Sequence, residues 1–75
     1  MRIRIFGNLT DIFGADNYTI EPAATVSDLK EKLEQIFPQL RNCVYLTIVN
    51  DEAAQENDSI PSDAEVALLP PYSGG

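Results

Sequence analysis

Histidine and tryptophan are absent from this chain of 75 residues, and cysteine occurs once, at Cys43. Without histidine, the chain has no Ser-His or Cys-His pair that could activate a nucleophile. A single cysteine forms neither an internal disulfide nor, by itself, a zinc site. Because Leu40 and Val44 lie close to it in the sequence, we expect Cys43 to be a small buried apolar residue. A thiol activated by the nearby Arg41 is the alternative.

Basic residues are also few: five Lys and Arg stand against twelve Asp and Glu, which gives a formal net charge of −7. This balance repels nucleic-acid phosphates and anionic lipids, and it suits a partner protein with a basic face. No apolar run approaches the roughly 20 residues that span a bilayer, and the first residues lack the apolar segment of a secretory signal. We therefore expect a cytoplasmic protein that binds neither nucleic acid nor membranes.

The carboxylates are densest in two short groups, Asp51-Glu52 and Glu56-Asn57-Asp58. A calcium loop places Asp or Asn at alternate positions around a glycine, but Ala53 and Gln55 occupy the alternate positions here. The sequence therefore predicts a solvated acidic loop and no metal site.

The hydrophobic pattern predicts one small domain of the α+β class. Strands are predicted at residues 2–6, 17–21, 44–50 and 65–69, with a further short strand near Ala53-Ala54. A short helical turn is predicted at residues 9–13 and the main helix at residues 25–37, where Pro38 stops it. Gly7 and Gly14 are expected to form turns with positive φ. This order of elements favours one helix laid across a mixed sheet of four to five strands.

The main helix has the clearest periodicity. Thr25 is predicted to cap its first turn. The apolar stripe that should face the sheet comprises Val26, Leu29, Leu33, Ile36 and Phe37. On the opposite side of the helix we expect ion pairs four residues apart, Asp28 with Lys32 and Lys30 with Glu34.

The last six residues, Pro70-Pro71-Tyr72-Ser73-Gly74-Gly75, have an unusual composition. The prolines donate no N–H group, so they end the last strand and keep the chain extended. The glycines can pass through a slot too narrow for any Cβ atom. We expect the carboxylate of Gly75 to reach another protein's active site, where a separate enzyme must activate it, most simply as an acyl-adenylate. A frayed chain end is the alternative.

With this tail, nearly the whole chain resembles the β-grasp sulfur carriers of the MoaD/ThiS type, in particular the family of molybdopterin synthase small subunits. The matching segments are residues 3–6, residues 9–14, Thr25-Val26 with Leu29 and Leu33, residues 48–50 and residues 63–75. The ending Pro-Pro-x-Ser-Gly-Gly is the most specific part, and it favours the molybdopterin branch over the thiamin branch. Two positions depart from the family pattern: Ala64 replaces a usual turn glycine, and Thr10-Asp11 stands where a basic residue is common.

The resemblance implies a ubiquitin-like β-grasp domain at residues 1–69 and an extended tail at residues 70–75. It implies that an E1-like enzyme adenylates Gly75 with ATP and that a sulfur donor converts it to a thiocarboxylate. The large subunit of molybdopterin synthase would then accept the tail, and sulfur would pass to a pterin precursor. The chain would bind no cofactor and would be a non-catalytic carrier subunit.

The same resemblance assigns roles to single residues. Gly74 would give steric clearance beside Gly75. The residues expected to bind partners are Pro70, Pro71, Tyr72, Ser73 and Phe6. For Phe6, a place in a second small core layer is the alternative.

Other functions stay open at this point. A ubiquitin-like modifier joined to target lysines would begin with the same adenylate, and a thiamin-pathway carrier would form the same thiocarboxylate. A plain protein-binding module would keep its function after deletion of Gly74 and Gly75.

Overall fold

Exposure alternates along the first strand and identifies the covered side of the sheet. In the computed structural model, which describes residues 1–71, β1 spans Arg2–Ile5. Ile3 and Ile5 are buried, whereas Arg2 and Arg4 are exposed. Because successive side chains of a strand point to opposite faces, β1 directs its isoleucines to the core and its arginines to solvent.

Five strands form one mixed sheet. After β1 come β2 (Asn17–Thr19), β3 (Leu46–Val49), β4 (Glu52–Ala54) and β5 (Val66–Leu69). Their order is β2-β1-β5-β3-β4; β1 and β5 run parallel, and the other neighbours are antiparallel. The predicted mixed sheet is confirmed, including the short strand near Ala53-Ala54.

The hairpin between β3 and β4 explains why β3 is shorter than predicted. Val49 pairs with Glu52, which leaves Asn50 and Asp51 as a two-residue loop. Both loop residues have positive φ, 52° and 69°. Two left-handed residues match the right-handed twist of the flanking strands, and Asn and Asp tolerate that conformation. The strand predicted to reach residue 50 therefore ends at Val49.

Two α-helices connect the strands; the first ends at the predicted glycine, and the second ends one residue before its predicted end at residue 37. The short helix α1 spans Leu9–Phe13 and ends at Gly14, whose φ is 75°. The main helix α2 spans Val26–Ile36, and the hydroxyl of Thr25 accepts a 3.2 Å hydrogen bond from the N–H group of Asp28. A 3₁₀ helix at Pro38–Asn42 follows α2 and was not predicted.

Polar side chains of α2 contact other segments instead of each other. Lys30 Nζ lies 3.2 Å from Glu56 Oε1, the one ion pair within residues 1–71. Lys32 donates to the carbonyl of Pro22, and Glu34 accepts a 3.0 Å hydrogen bond from the Tyr45 hydroxyl. The predicted pairs of Lys32 and of Glu34 within the helix are therefore wrong. Exposed pairs of this kind contribute only tenths of a kcal/mol, so tertiary contacts easily replace them.

The core lies between α2 and one face of the sheet. Its fully buried side chains include Ile3, Ile5, Val26, Leu29, Leu33, Leu40, Val66 and Leu68. Ile36 is 49% exposed, so the predicted apolar stripe is wrong at that position. Phe37 covers this end of the core instead, with its ring centroid 4.5 Å from that of Phe13 and 5.2 Å from that of Tyr18. No helix within the described residues is long and apolar enough to cross a membrane.

Candidate functional site

The sheet face turned away from α2 is the candidate interaction surface, and we call it the outer face. In the segment that leads into β3, the exposed Val44 and Leu46 alternate with the buried Tyr45 and Thr47. Val44 is 75% exposed and Leu46 is 43% exposed. Ile48 follows on the same side and is half-buried. This segment is therefore apolar on both faces, although α2 covers only one of them.

Strand pairing brings further apolar side chains onto the outer face. In the pairing of β3 with β5, Leu46 lies opposite Leu69 and Ile48 lies opposite Ala67. On the other side of β5, the N–H group of Phe6 donates to the carbonyl of Leu68 at 3.1 Å, which places Phe6 beside Leu69. The Phe6 side chain is 38% exposed. Phe6, Leu69 and Leu46 thus cross three neighbouring strands at one end of the outer face.

The chain leaves the sheet at this apolar end. Leu69 is the last residue of β5, Pro70 is half-buried, and Pro71 is exposed. The ring of Pro70 lies against Gly7, which follows directly after Phe6 and has a φ of 61°. Since prolines cannot extend a ladder of hydrogen bonds, the pairing of β5 ends here.

The structure describes three of the seven predicted site residues. Pro70, Pro71 and Phe6 lie together at the apolar end of the outer face. Tyr72, Ser73, Gly74 and Gly75 lie outside the described residues.

Phe6 lies outside the core, and its predicted role in binding partners stays a prediction. Phe6 is exposed on the outer face and does not belong to the core cluster. The alternative that it belongs to a second core layer is therefore wrong. The Arg4 guanidinium lies 5.2 Å from the centroid of the Phe6 ring, within the range of a cation–π interaction.

Sequence reasoning missed four apolar residues of this surface: Val44, Leu46, Ile48 and Leu69. A signal for them was present, because residues 44–49 are apolar at nearly every position rather than at alternate ones. A strand of this kind needs cover on both faces, and the chain offers one long helix. The second face therefore requires another molecule or remains exposed.

Three further positions discussed from the sequence are the single cysteine, the acidic groups and the turn before β5. Cys43 is half-buried against the core, and its Sγ donates to the carbonyl of Gln39 at 3.4 Å. Within residues 1–71, no group of three His, Cys, Asp or Glu side chains is placed to hold a metal ion. Ala64 avoids positive φ, which within the same residues occurs at Asn50, Asp51 and two glycines. The turn before β5 thus forms without the usual glycine.

The sequence of this chain is similar to those of known proteins. Residues 3–75 match the family model described as "ThiS family". The chain belongs to the ThiS family. It is also 32% identical to the "Molybdopterin synthase sulfur carrier subunit" of Dictyostelium discoideum, over 99% of this chain and 94% of that protein. The predicted resemblance to sulfur carriers of the MoaD/ThiS type is thereby confirmed.

Solved structures similar to this ThiS family member share its fold. The putative molybdopterin converting factor, subunit 1, of Pyrococcus furiosus superposes with a TM-score of 0.85 at 19% identity, over 95% of both chains. SAMP1 of Haloferax volcanii superposes with a TM-score of 0.79 at 27% identity, over 99% of this chain and 97% of that one. The β-grasp fold predicted from the sequence is confirmed.

Proposed function

We propose that this chain is the sulfur-carrier subunit of a molybdopterin synthase and that its reactive group is the carboxylate of Gly75. The observation that carries the proposal is the position of Pro70, where the chain leaves the sheet beside the exposed side chains of Phe6 and Leu46. A partner that covers the apolar end of the outer face would thus stand beside the start of the tail. The 32% sequence identity to a sulfur carrier subunit, over 99% of this chain, supports the same function.

The chemistry proceeds in two activation steps followed by transfer. A carboxylate oxygen of Gly75 attacks the α-phosphorus of ATP in an E1-like enzyme, and pyrophosphate leaves. A sulfide-level sulfur donor then displaces AMP from the acyl-adenylate, which leaves a thiocarboxylate. In the large synthase subunit, this sulfur passes to a pterin precursor, and water restores the Gly75 carboxylate. ATP is bound by the activating enzyme, and this chain itself needs no cofactor.

In this proposal, both enzymes bind the chain through its outer face. Covering the apolar part of the outer face gives each partner a gain of about 25 cal/mol per Å² of buried apolar area. The tail extends beyond Pro71 by four residues, Tyr72 to Gly75, which span at most about 14 Å when fully extended. The partner's active site must therefore lie within about this distance of the covered face. Gly74 and Gly75 place no side chain in that passage.

Intact-mass analysis tests this function. The chain is incubated with ATP, a purified E1-like activating enzyme and sulfide, and a parallel sample omits ATP. We expect a mass gain that matches the replacement of one oxygen by sulfur, located at Gly75 and found only with ATP. Addition of the large subunit and the pterin precursor should remove this gain. An unchanged mass in the complete mixture would contradict the proposal, and a thiocarboxylate that only thiamin-pathway partners discharge would assign the chain to that branch.

A ubiquitin-like modifier is the second candidate, and the similarity to SAMP1 favours it. Proteins of that name are described as small archaeal modifier proteins. A modifier would join Gly75 to lysine side chains of other proteins through the same adenylate. Chymotrypsin, which cleaves after Tyr72, would leave Ser-Gly-Gly on a modified lysine. Such peptides, found in cells that express the chain and missing after deletion of Gly75, would support this alternative.

A further inference from the structure

Two arginines stand side by side on the outer face of a strongly acidic chain. Arg2 and Arg4 are both exposed on β1, and their Cα atoms are about 7 Å apart because a strand rises 3.2–3.4 Å per residue. On the β2 side their cross-strand neighbours are the neutral Thr19 and Asn17. On the β5 side Arg4 lies beside Ala67, and the same register places the acidic Glu65 beside Arg2. The formal net charge of the chain is −7, so two neighbouring cations on one strand differ from the overall balance.

Neither arginine forms an ion pair with another residue of the range 1–71. Among the residues that the structure describes, the one pair closer than 4.0 Å is Lys30 with Glu56, on the side of α2. Two like charges on one sheet face repel each other and are mildly destabilising. Both guanidinium groups are therefore available to bind the carboxylates of another molecule.

The arginines line an open groove of about 710 Å³. Its lining also includes Phe6 and Gly7, so the groove continues into the apolar end of the outer face. Its acidic lining residues are Asp16 and Glu65, neither of which forms an ion pair with an arginine. The stacking of the Arg4 guanidinium on the Phe6 ring, at 5.2 Å, restricts its motion. A guanidinium fixed in this way loses less entropy when it binds a carboxylate.

We propose that Arg2 and Arg4 bind carboxylates of an acidic segment of the partner protein that covers the outer face. This rests on the proposed function, in which the large subunit of molybdopterin synthase is such a partner, and it adds the chemistry by which that partner is recognised. The net charge alone predicts a partner with a basic face. Arg2 and Arg4 instead predict acidic residues in the part of the partner that lies beside β1, because a carboxylate can accept paired hydrogen bonds from each guanidinium.

Charge-matched double variants test the proposal. R2Q/R4Q removes the two cations of the groove, whereas K32Q/R41Q removes two cations that lie in α2 and the 3₁₀ helix, outside the sheet. Both variants lower the formal net charge from −7 to −9. Binding of each to the purified large subunit is measured by calorimetry at several salt concentrations. We expect R2Q/R4Q to bind roughly tenfold more weakly at low salt, with a flatter salt dependence, and K32Q/R41Q to bind like the unchanged chain.

A third variant separates charge from geometry. R2K/R4K keeps both cations but lacks the planar fork, so its affinity should lie between those of the unchanged chain and R2Q/R4Q. Equal affinities of R2Q/R4Q and K32Q/R41Q, with both folded by circular dichroism, would overturn the proposal. So would a change in self-association alone, because the occupant of the groove would then be a second copy of the chain. ATP-dependent thiocarboxylate formation in the same samples tests the proposed function independently of this result.

Discussion

A methyl group in place of a hydrogen on Gly7 would lie 2.7 Å from Cγ of Pro70. The backbone just beyond β1 thus contacts the residue with which the chain leaves β5. Gly7 also adopts a φ of 61°, so two separate features of this position favour glycine. The contact fixes where Pro70 lies relative to Phe6, at the apolar end of the outer face.

The variant Gly7→Ala should therefore both destabilise the domain and displace Pro70. Gly14→Ala is the matched control, because Gly14 has a φ of 75° but no atom within 4 Å of the added methyl group. We expect Gly14→Ala to lower the free energy of unfolding by about 1–2 kcal/mol, the cost of a left-handed alanine. Gly7→Ala should lower it by about 1–3 kcal/mol more, through overlap with Pro70. Urea denaturation measures both.

A second substitution identifies the cause of the difference. Pro70→Ala removes the ring atoms Cγ and Cδ, which lie 2.7 and 3.1 Å from the added methyl group. In a double-mutant cycle, the double variant of Gly7→Ala and Pro70→Ala should then be less destabilised than the sum of the two single variants. Strict additivity of the two changes would show that Pro70 does not determine the cost at Gly7.

Leu46 should matter for binding and little for stability. It is 43% exposed on the outer face, and Ile36, at 49%, is similarly exposed but lies at the end of α2. We expect Leu46→Ser to weaken binding of the large synthase subunit by about 1–2 kcal/mol and Ile36→Ser to leave it unchanged. Calorimetric titration checks the affinities and thermal unfolding checks the folds. A loss of affinity in Ile36→Ser equal to that in Leu46→Ser would place the interface elsewhere.

Tyr45 should make the stability of the domain fall at high pH. Burial raises the pKa of its hydroxyl well above the usual 10.0, and the hydrogen bond and negative charge of Glu34 add to the effect. The folded state therefore holds this proton at pH values where the unfolded state has lost it. As the pH rises above about 10, the contribution of Tyr45 to the free energy of unfolding should decline.

Tyr45→Phe provides the comparison for this effect. At pH 7 the variant should be about 1 kcal/mol less stable, because one hydrogen bond is lost. The difference from the unchanged chain should shrink above pH 10, as measured by urea denaturation across that range. A gap that stays constant or widens above pH 10 would show that the hydroxyl does not favour its neutral form in the fold.

Extension of the chain by one alanine after Gly75 should abolish thiocarboxylate formation. The extension moves the terminal carboxylate away from the glycine pair and adds a Cβ atom that the proposed passage excludes. Residues 1–69 are unaffected, so the free energy of unfolding should change by less than about 0.5 kcal/mol. Intact-mass analysis in the ATP-dependent assay gives the readout. Normal sulfur loading of the extended chain would contradict a role for Gly75 as the reactive residue.

The sequence by itself determined the local elements of this protein. Thr25 caps α2 and Gly14 ends α1 because capping and left-handed turns depend on a few adjacent residues. The alternation in β1 identified its buried face, and the prolines identified the end of β5. The composition of the tail predicted a reactive terminal carboxylate, and the carrier function was implied by the family resemblance.

Only the tertiary structure decided which residues share a surface. Leu46 meets Leu69, and Gly7 meets Pro70, because β5 lies between β1 and β3, a long-range pairing that no local pattern specifies. Lys30 likewise contacts Glu56, 26 residues away, instead of the neighbour four residues along α2. Local propensities act over a few residues, whereas the outer face and its arginines are assembled from distant strands by packing of the whole sheet against α2.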